Sequence, residues 1–318
     1  MNNYRIFGTF TTKTPLSHIS ESISTCSYLV QEPILQKNGT IEEVFCYNGN
    51  AFRGQLRDLA AQYLLDKLNM QVSLDAFHLL FSGGKIGGDQ TIDIAQARSI
   101  RKTVPMIALF GGGVGNQILP GKMKVGSSYP ICQEAIPCLA DDKHVQAENL
   151  SYRVMTMEKS FTRMDDSKKP DSINSLSESA QRMIGGDKKK KEGEVNTQMR
   201  MTSELIISGV ELAHEIDLVG VSDVELGALV SALHKFAEAP YIGGQSNRGH
   251  GRVAYTSTIV NSSTGEVHDL IKITGAGLPK LSRTAQLAKD AYDMLLKEQH
   301  DAWLEKSESE IRGLLGSK

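Results

Sequence analysis

The stretch YIGGQSNRGHGRV, Tyr241–Val253, holds four glycines (Gly243, Gly244, Gly249 and Gly251) within nine residues. Between and after them stand Gln245, Ser246, Asn247, Arg248, His250 and Arg252, which are donors or cations, with no acid among them. Glycine lets a backbone take positive φ and approach a ligand closely. The stretch before it has the period of a helix, and Arg252–Val260 after it reads as a strand. A donor-rich turn at such a junction can grip phosphates. The other reading is a glycine-rich surface loop without a ligand.

Working outward, Ser222–Ala237 is the clearest helix. Ser222 or Asp223 caps it, Glu225 supports its start, and Val224, Leu226, Leu229, Val230, Leu233 and Phe236 form its apolar face. Arg200–Leu218 before it is strand-like. At the other end of the chain Tyr4–Thr12 alternates as a strand does, Thr14–Thr25 is a Ser/Thr-rich loop holding Ser17 and His18, and Ile41–Tyr47 is a short strand. Asn48-Gly49-Asn50 then opens a helix, AFRGQLRDLAAQYLLDKL, with Asn48 or Asn50 as its cap. Arg53 and Arg57 share one face near its start, where free N–H groups also favour an anion; two solvated arginines are the plainer alternative. Ile92–Val104 and Arg283–Glu305 read as helices, and Lys122–Ile131 and Ser151–Phe161 as strands. Thr162–Asn196 is polar, with a basic run at Lys188–Lys191, and cannot bury a core.

Without that polar excursion the order is strand, helix, strands, helix, glycine loop, strand. This is the α+β, ferredoxin-like βαββαβ pattern of RNA-recognition modules. The aromatic signature with which such sheets stack bases is missing, and only 6% of residues are aromatic. Gripping of a backbone by loops and helix ends is therefore expected instead.

The 318 residues carry a net charge of −2, which hides a segregation. No Asp or Glu occurs in Met1–Ser20, Ile94–Gln133 or Ala239–Gly265. If those segments meet in the fold they present a basic face to a polyanion. The N-terminus lacks an apolar signal core, no run approaches the roughly 20 apolar residues of a membrane span, and a cytoplasmic protein is expected. Cys26, Cys46, Cys132 and Cys138 form no CxxC or zinc spacing and read as buried reduced thiols. The cluster Gly111–Gly115 fails both nucleotide-loop patterns: Gly121-Lys122 is followed by Met123, and Gly111 and Gly113 lead to Asn116. No cofactor and no metal are expected.

The pairing of YNGNAFRGQLRDL (Tyr47–Leu59) with the glycine loop resembles the RAMP superfamily of CRISPR proteins. Leu109–Ile131, FTRMDD at Phe161–Asp166 and the polar excursion are similar to its seventh Cas family, in the type IV form. The resemblance implies an RRM-like palm over residues 1–150 and 202–280, with a helical insertion around 72–131. It also implies a thumb-like insertion over 151–201 and a C-terminal helix in 281–318. It further implies a guide-RNA (crRNA) backbone subunit of a prokaryotic ribonucleoprotein, stacking as copies of itself and presenting the guide to a complementary target. Companions would be a fifth-family Cas subunit, a large subunit, a guide-processing nuclease and a helicase.

RNA contacts would then come from Ser17, His18, Asn50, Arg53, Arg57 and the loop Gly243–His250 with Arg252. Thumb contacts would come from Met157, Lys159, Phe161, Arg163 and Met164, the apolar ones also reading as ordinary core. Type III relatives cut target RNA with an aspartate ahead of the first helix, whereas this chain has no Asp before Asp58, so a non-catalytic subunit is expected. The alternative is a RAMP endoribonuclease processing guide precursors with His18 as general base.

Overall fold

The computed structural model describes residues 1–84, 94–114, 117–163, 199–275 and 277–304. Its core is an antiparallel sheet of β1 (Asn2–Thr12), β2 (Met123–Val125), β3 (Glu211–Val221), β4 (Val253–Asn261), β5 (Val267–Ile273) and β6 (Lys280–Leu281). The order across the sheet is β6-β5-β4-β1-β3-β2, and Tyr129–Pro130 also pairs β3. With α1 (Gly49–Leu68) between β1 and β2 and α2 (Asp223–Phe236) between β3 and β4, this is a ferredoxin-like fold.

Period-two alternation decides which face of each strand is buried. Ile6, Phe10 and Thr12 of β1 point inward with Leu212, His214, Ile216 and Leu218 of β3. Phe10 lies at the centre, 5.0 Å edge-on to Phe52 of α1, 4.8 Å from Tyr255 and stacked 4.9 Å from His214. α2 begins with a complete capping box: Ser222 Oγ accepts from Glu225 N, and Glu225 Oε2 accepts from Ser222 N. α3 (Arg283–Leu304) packs along α2. No helix among the described residues is long and apolar enough to cross a membrane.

Several expectations are corrected. Arg200–Leu218 is two strands, Met199–Ile206 and β3, because Gly209 turns at φ 93° and Thr12 Oγ1 ties down Val210 N at 2.9 Å. The Thr14–Thr25 loop contains a strand, Ile19–Ile23. The Ile41–Phe45 strand stands outside the main sheet and pairs Gln31–Leu35. Lys122–Ile131 is broken between β2 and Tyr129–Pro130. Cys46 and Cys132 are buried, and burial pushes both thiols up to about 12, but Cys26 is half-buried and Cys138 exposed.

A second sheet flanks the core. Thr156–Arg163 pairs antiparallel with Met199–Ile206, which runs parallel to Cys26–Leu29, which pairs Ile19–Ile23. The first two strands form a hairpin in the region read as a thumb. Residues 164–198, with Met164 and the basic run, lie outside the described residues.

Candidate nucleic-acid interface

The glycine loop is held open from both ends. Tyr241 bridges Arg252, and Ile242 N donates to Gly251 O at 2.9 Å. Inside this frame Ser246–Arg248 makes one tight helical turn between Gln245 and Gly249, both at positive φ. Two glycines are required by their surroundings. Gly243 (φ 73°) would place a Cβ 2.2 Å from Ser17 O, and Gly251 (φ 83°) would place one 2.0 Å from Ile242 O. Ser246, Asn247 and Arg248 are exposed at the tip, whereas His250 is buried.

The N-terminal segment clasps this loop. Gly244 N donates to Ser17 O at 2.6 Å, Gly251 N to Pro15 O at 2.8 Å and Lys13 N to Arg252 O at 2.7 Å. Ser17 is fully buried, and its hydroxyl has no partner among the described residues. His18 Nε2 faces Asn48 N at 3.4 Å, and its ring meets Tyr47 edge-on at 5.0 Å. Burial lowers the His18 pKa, so the ring is a neutral acceptor there.

All three acid-free segments converge on the start of α1. The first arrives through His18. The second arrives through the Tyr47–Ser128 bridge. The third arrives through the Tyr47 hydroxyl, bonded to the Gly243 backbone, and through Gln55 Nε2, which donates to Tyr241 O at 2.7 Å. The first turn of α1 carries no acid, and Asn48 makes no side-chain cap bond. Asn50 is exposed in that turn. Uncapped N–H groups in a turn without acids suit an anionic ligand; the acid near this turn is Glu32, which accepts from Cys46 Sγ at 3.3 Å.

Arg53 and Arg57 behave differently from the loop cations. Arg57 is buried and donates to Phe110 O at 2.6 Å and Gly111 O at 3.0 Å, and burial lowers its pKa to about 10 with help from the neighbouring Arg53 charge. Arg53 also donates to Phe110 O and is half-buried. The expected phosphate-facing pair is thus revised: Arg57 clamps the Leu109–Gly113 turn. Lys122, from the same acid-free segment, is spent on Glu225 at 2.7 Å.

The hairpin meets the glycine loop. The Arg248 guanidinium lies over the Phe161 ring. The His250 pKa is lowered by burial first, and then by the charges of Lys159 and Arg248. Met157 is half-buried and Lys159 exposed. Arg163 ends its strand. Arg252 is exposed and donates to Gly275 O at 2.6 Å. Among the described residues no cluster of His, Cys, Asp and Glu could hold a metal ion. Sequence reasoning missed Lys13, Thr14, Pro15 and Gln55 as the clasp of the loop; the absence of acids across Met1–Ser20 was the one signal for the first three.

No family model and no curated protein matches the chain. Among solved structures, it is similar to a chain of one titled "Type IV-B CRISPR Complex", at 18% sequence identity and a TM-score of 0.55. The match covers 80% of this chain and 90% of that one, and the two share a fold.

Proposed function

We propose that the chain is a non-catalytic, guide-RNA-binding backbone subunit of a CRISPR effector complex, in its type IV form, which repeats along the guide and presents it to a complementary target. The observation that carries this reading is convergence. The exposed tip Ser246–Arg248 meets the Lys159/Phe161 hairpin, and the loop behind it is clasped by the segment that holds His18 against the uncapped start of α1, on a fold shared with a chain of such a complex. Asn247, Arg248, Arg252 and Lys159 hold the sugar-phosphate chain. Ser17, His18 and Asn50 close the floor, and Phe161 with Met157 wedges between bases. The protein reads the backbone, and the guide's bases read the target. Neighbouring copies and the other subunits complete the assembly.

The test is purification from cells that also express a CRISPR array, followed by nuclease mapping of the bound nucleic acid. A guide-length RNA with exposed positions at a regular interval supports the proposal. Random host RNA, or none, overturns it. The processing-enzyme reading makes a different demand: metal-independent cutting of a repeat hairpin that is lost in His18→Ala. His18 Nε2 is already turned toward Asn48 N, which favours a structural or contact role.

A further inference from the structure

The turn at the tip of the glycine loop is bracketed by two residues in the left-handed region, Gln245 at φ 60° and Gly249 at φ 80°. Glycine takes that conformation freely, whereas a glutamine there is strained. Among the described residues two other non-glycine residues, Ser24 and Asn69, have positive φ. Ser24 lies in the turn between two strands and Asn69 ends α1, places where a short polar side chain serves the local backbone. Gln245 carries a long side chain instead, at a position where glycine would fold the same turn with less strain. Strain kept in a candidate binding loop points to a job for that side chain.

Gln245 holds Arg248 twice. Its carbonyl oxygen accepts from Arg248 N at 2.9 Å, which closes the turn, and its Oε1 accepts from Arg248 Nη1 at 3.4 Å. The guanidinium so directed lies over the Phe161 ring, 4.2 Å from its centroid. Arg248 is exposed, and it is restrained here by an amide and a ring, neither of which neutralises it. A carboxylate at position 245 would hold the guanidinium more firmly but cancel the charge that a phosphate has to meet.

We propose that Gln245 is a positioning residue: its left-handed backbone and its amide oxygen preset the Arg248 guanidinium, on the Phe161 ring, for a phosphate of the bound strand. This rests on the glycine-loop interface of the proposed function. A cation that is already ordered loses less side-chain freedom when the strand arrives, so the strain at Gln245 is returned as affinity.

The test reads RNA-free protein first. Arginine-selective nitrogen relaxation by NMR should find the Arg248 side chain ordered in the wild type and mobile in Gln245→Met, which keeps the length of the side chain and the strain but has no amide oxygen. Gln245→Gly should free the same side chain and, by relieving the strain, raise the thermal midpoint. Titration with a short oligouridine follows. Both variants should bind about two- to tenfold more weakly. Their salt slope should match that of the wild type, because Arg248 still meets its phosphate once the strand is bound. In an Arg248→Gln background the same two substitutions should cost no further affinity, a coupling that a merely structural role for Gln245 would not produce. An Arg248 side chain as mobile in the wild type as in Gln245→Met overturns the proposal, and so does wild-type affinity in both variants. A wild type that orders Arg248 through Gln245 yet binds no oligouridine leaves the positioning standing and refutes the proposed function.

Discussion

The guanidinium carbon of Arg248 lies 4.2 Å from the centroid of the Phe161 ring, joining the tip of the glycine loop to the hairpin. Both side chains are expected to touch RNA, and here each occupies the other. An exposed cation–π contact of this kind contributes about 0.5–1 kcal/mol. A double-mutant cycle with Arg248→Ala and Phe161→Ala, read by denaturant unfolding of RNA-free protein, should return a coupling of that size. A coupling of zero would mean that the two walls do not sense each other in solution.

The four loop glycines should separate cleanly on substitution. Gly243→Ala and Gly251→Ala combine positive φ with backbone contacts near 2 Å, and should lower stability by more than the roughly 1–2 kcal/mol of left-handed strain alone. Gly249→Ala carries the strain without a clash. Gly244, whose Cβ would meet only Ser17 O at 3.8 Å, should accept alanine within about 0.5 kcal/mol. Thermal unfolding of the four variants checks the ranking, and equal effects at Gly244 and Gly243 would contradict it.

Arg57 should affect folding and leave the ionic behaviour of binding alone. Arg57→Met strands the carbonyl of Gly111, while Phe110 O keeps Arg53, and should cost about 1–3 kcal/mol for the unsatisfied group. The salt slope of RNA binding should stay as in the wild type, because the guanidinium is buried. Arg248→Gln, exposed at the tip, should instead reduce that slope by about 0.7 per lost phosphate contact. Equilibrium unfolding and salt titration of both variants test the division; a reduced slope in Arg57→Met would return Arg57 to the interface.

His214 predicts acid sensitivity. It is buried against Phe10, and burial lowers its pKa to about 3. The unfolded chain titrates near 6.5, so between these values the unfolded state binds the extra proton. Stability then falls as pH drops below 6.5, by about 1.4 kcal/mol per unit, until pH nears 3. His214→Phe should flatten this part of the profile in unfolding experiments at pH 7 and pH 5. Equal slopes in the variant and the wild type would assign the acid sensitivity to other groups.

The parts legible in the sequence are those with local causes. The α2 capping box, the alternation of β1 and the glycine loop each declare themselves within a dozen residues, and together they give the βαββαβ order. The second sheet does not. Ile19–Ile23 is exposed at every position, and the strand pair beside it joins Cys26 to Thr202, so no periodicity marks either. The fate of Arg57 was equally hidden. Its spacing from Arg53 suggested a surface pair, and only the carbonyls at Phe110 and Gly111, more than 50 residues away, take it inside.

Leu16 exchanges both backbone hydrogen bonds with Ile206 at 2.9 Å, and the next residue, Ser17, accepts from Gly244. One peptide unit therefore separates the base of the hairpin from the glycine loop, and the two walls of the cleft share a hinge point. The hairpin and the loop are thus joined at the base through Leu16–Ser17 and at the tip through Arg248 and Phe161. If the proposed RNA strand lies between them, opening one wall alone should disturb the other through the pairing of Leu16 with Ile206. On that reading, strengthening this one ladder step should slow release of the RNA without adding any contact to it.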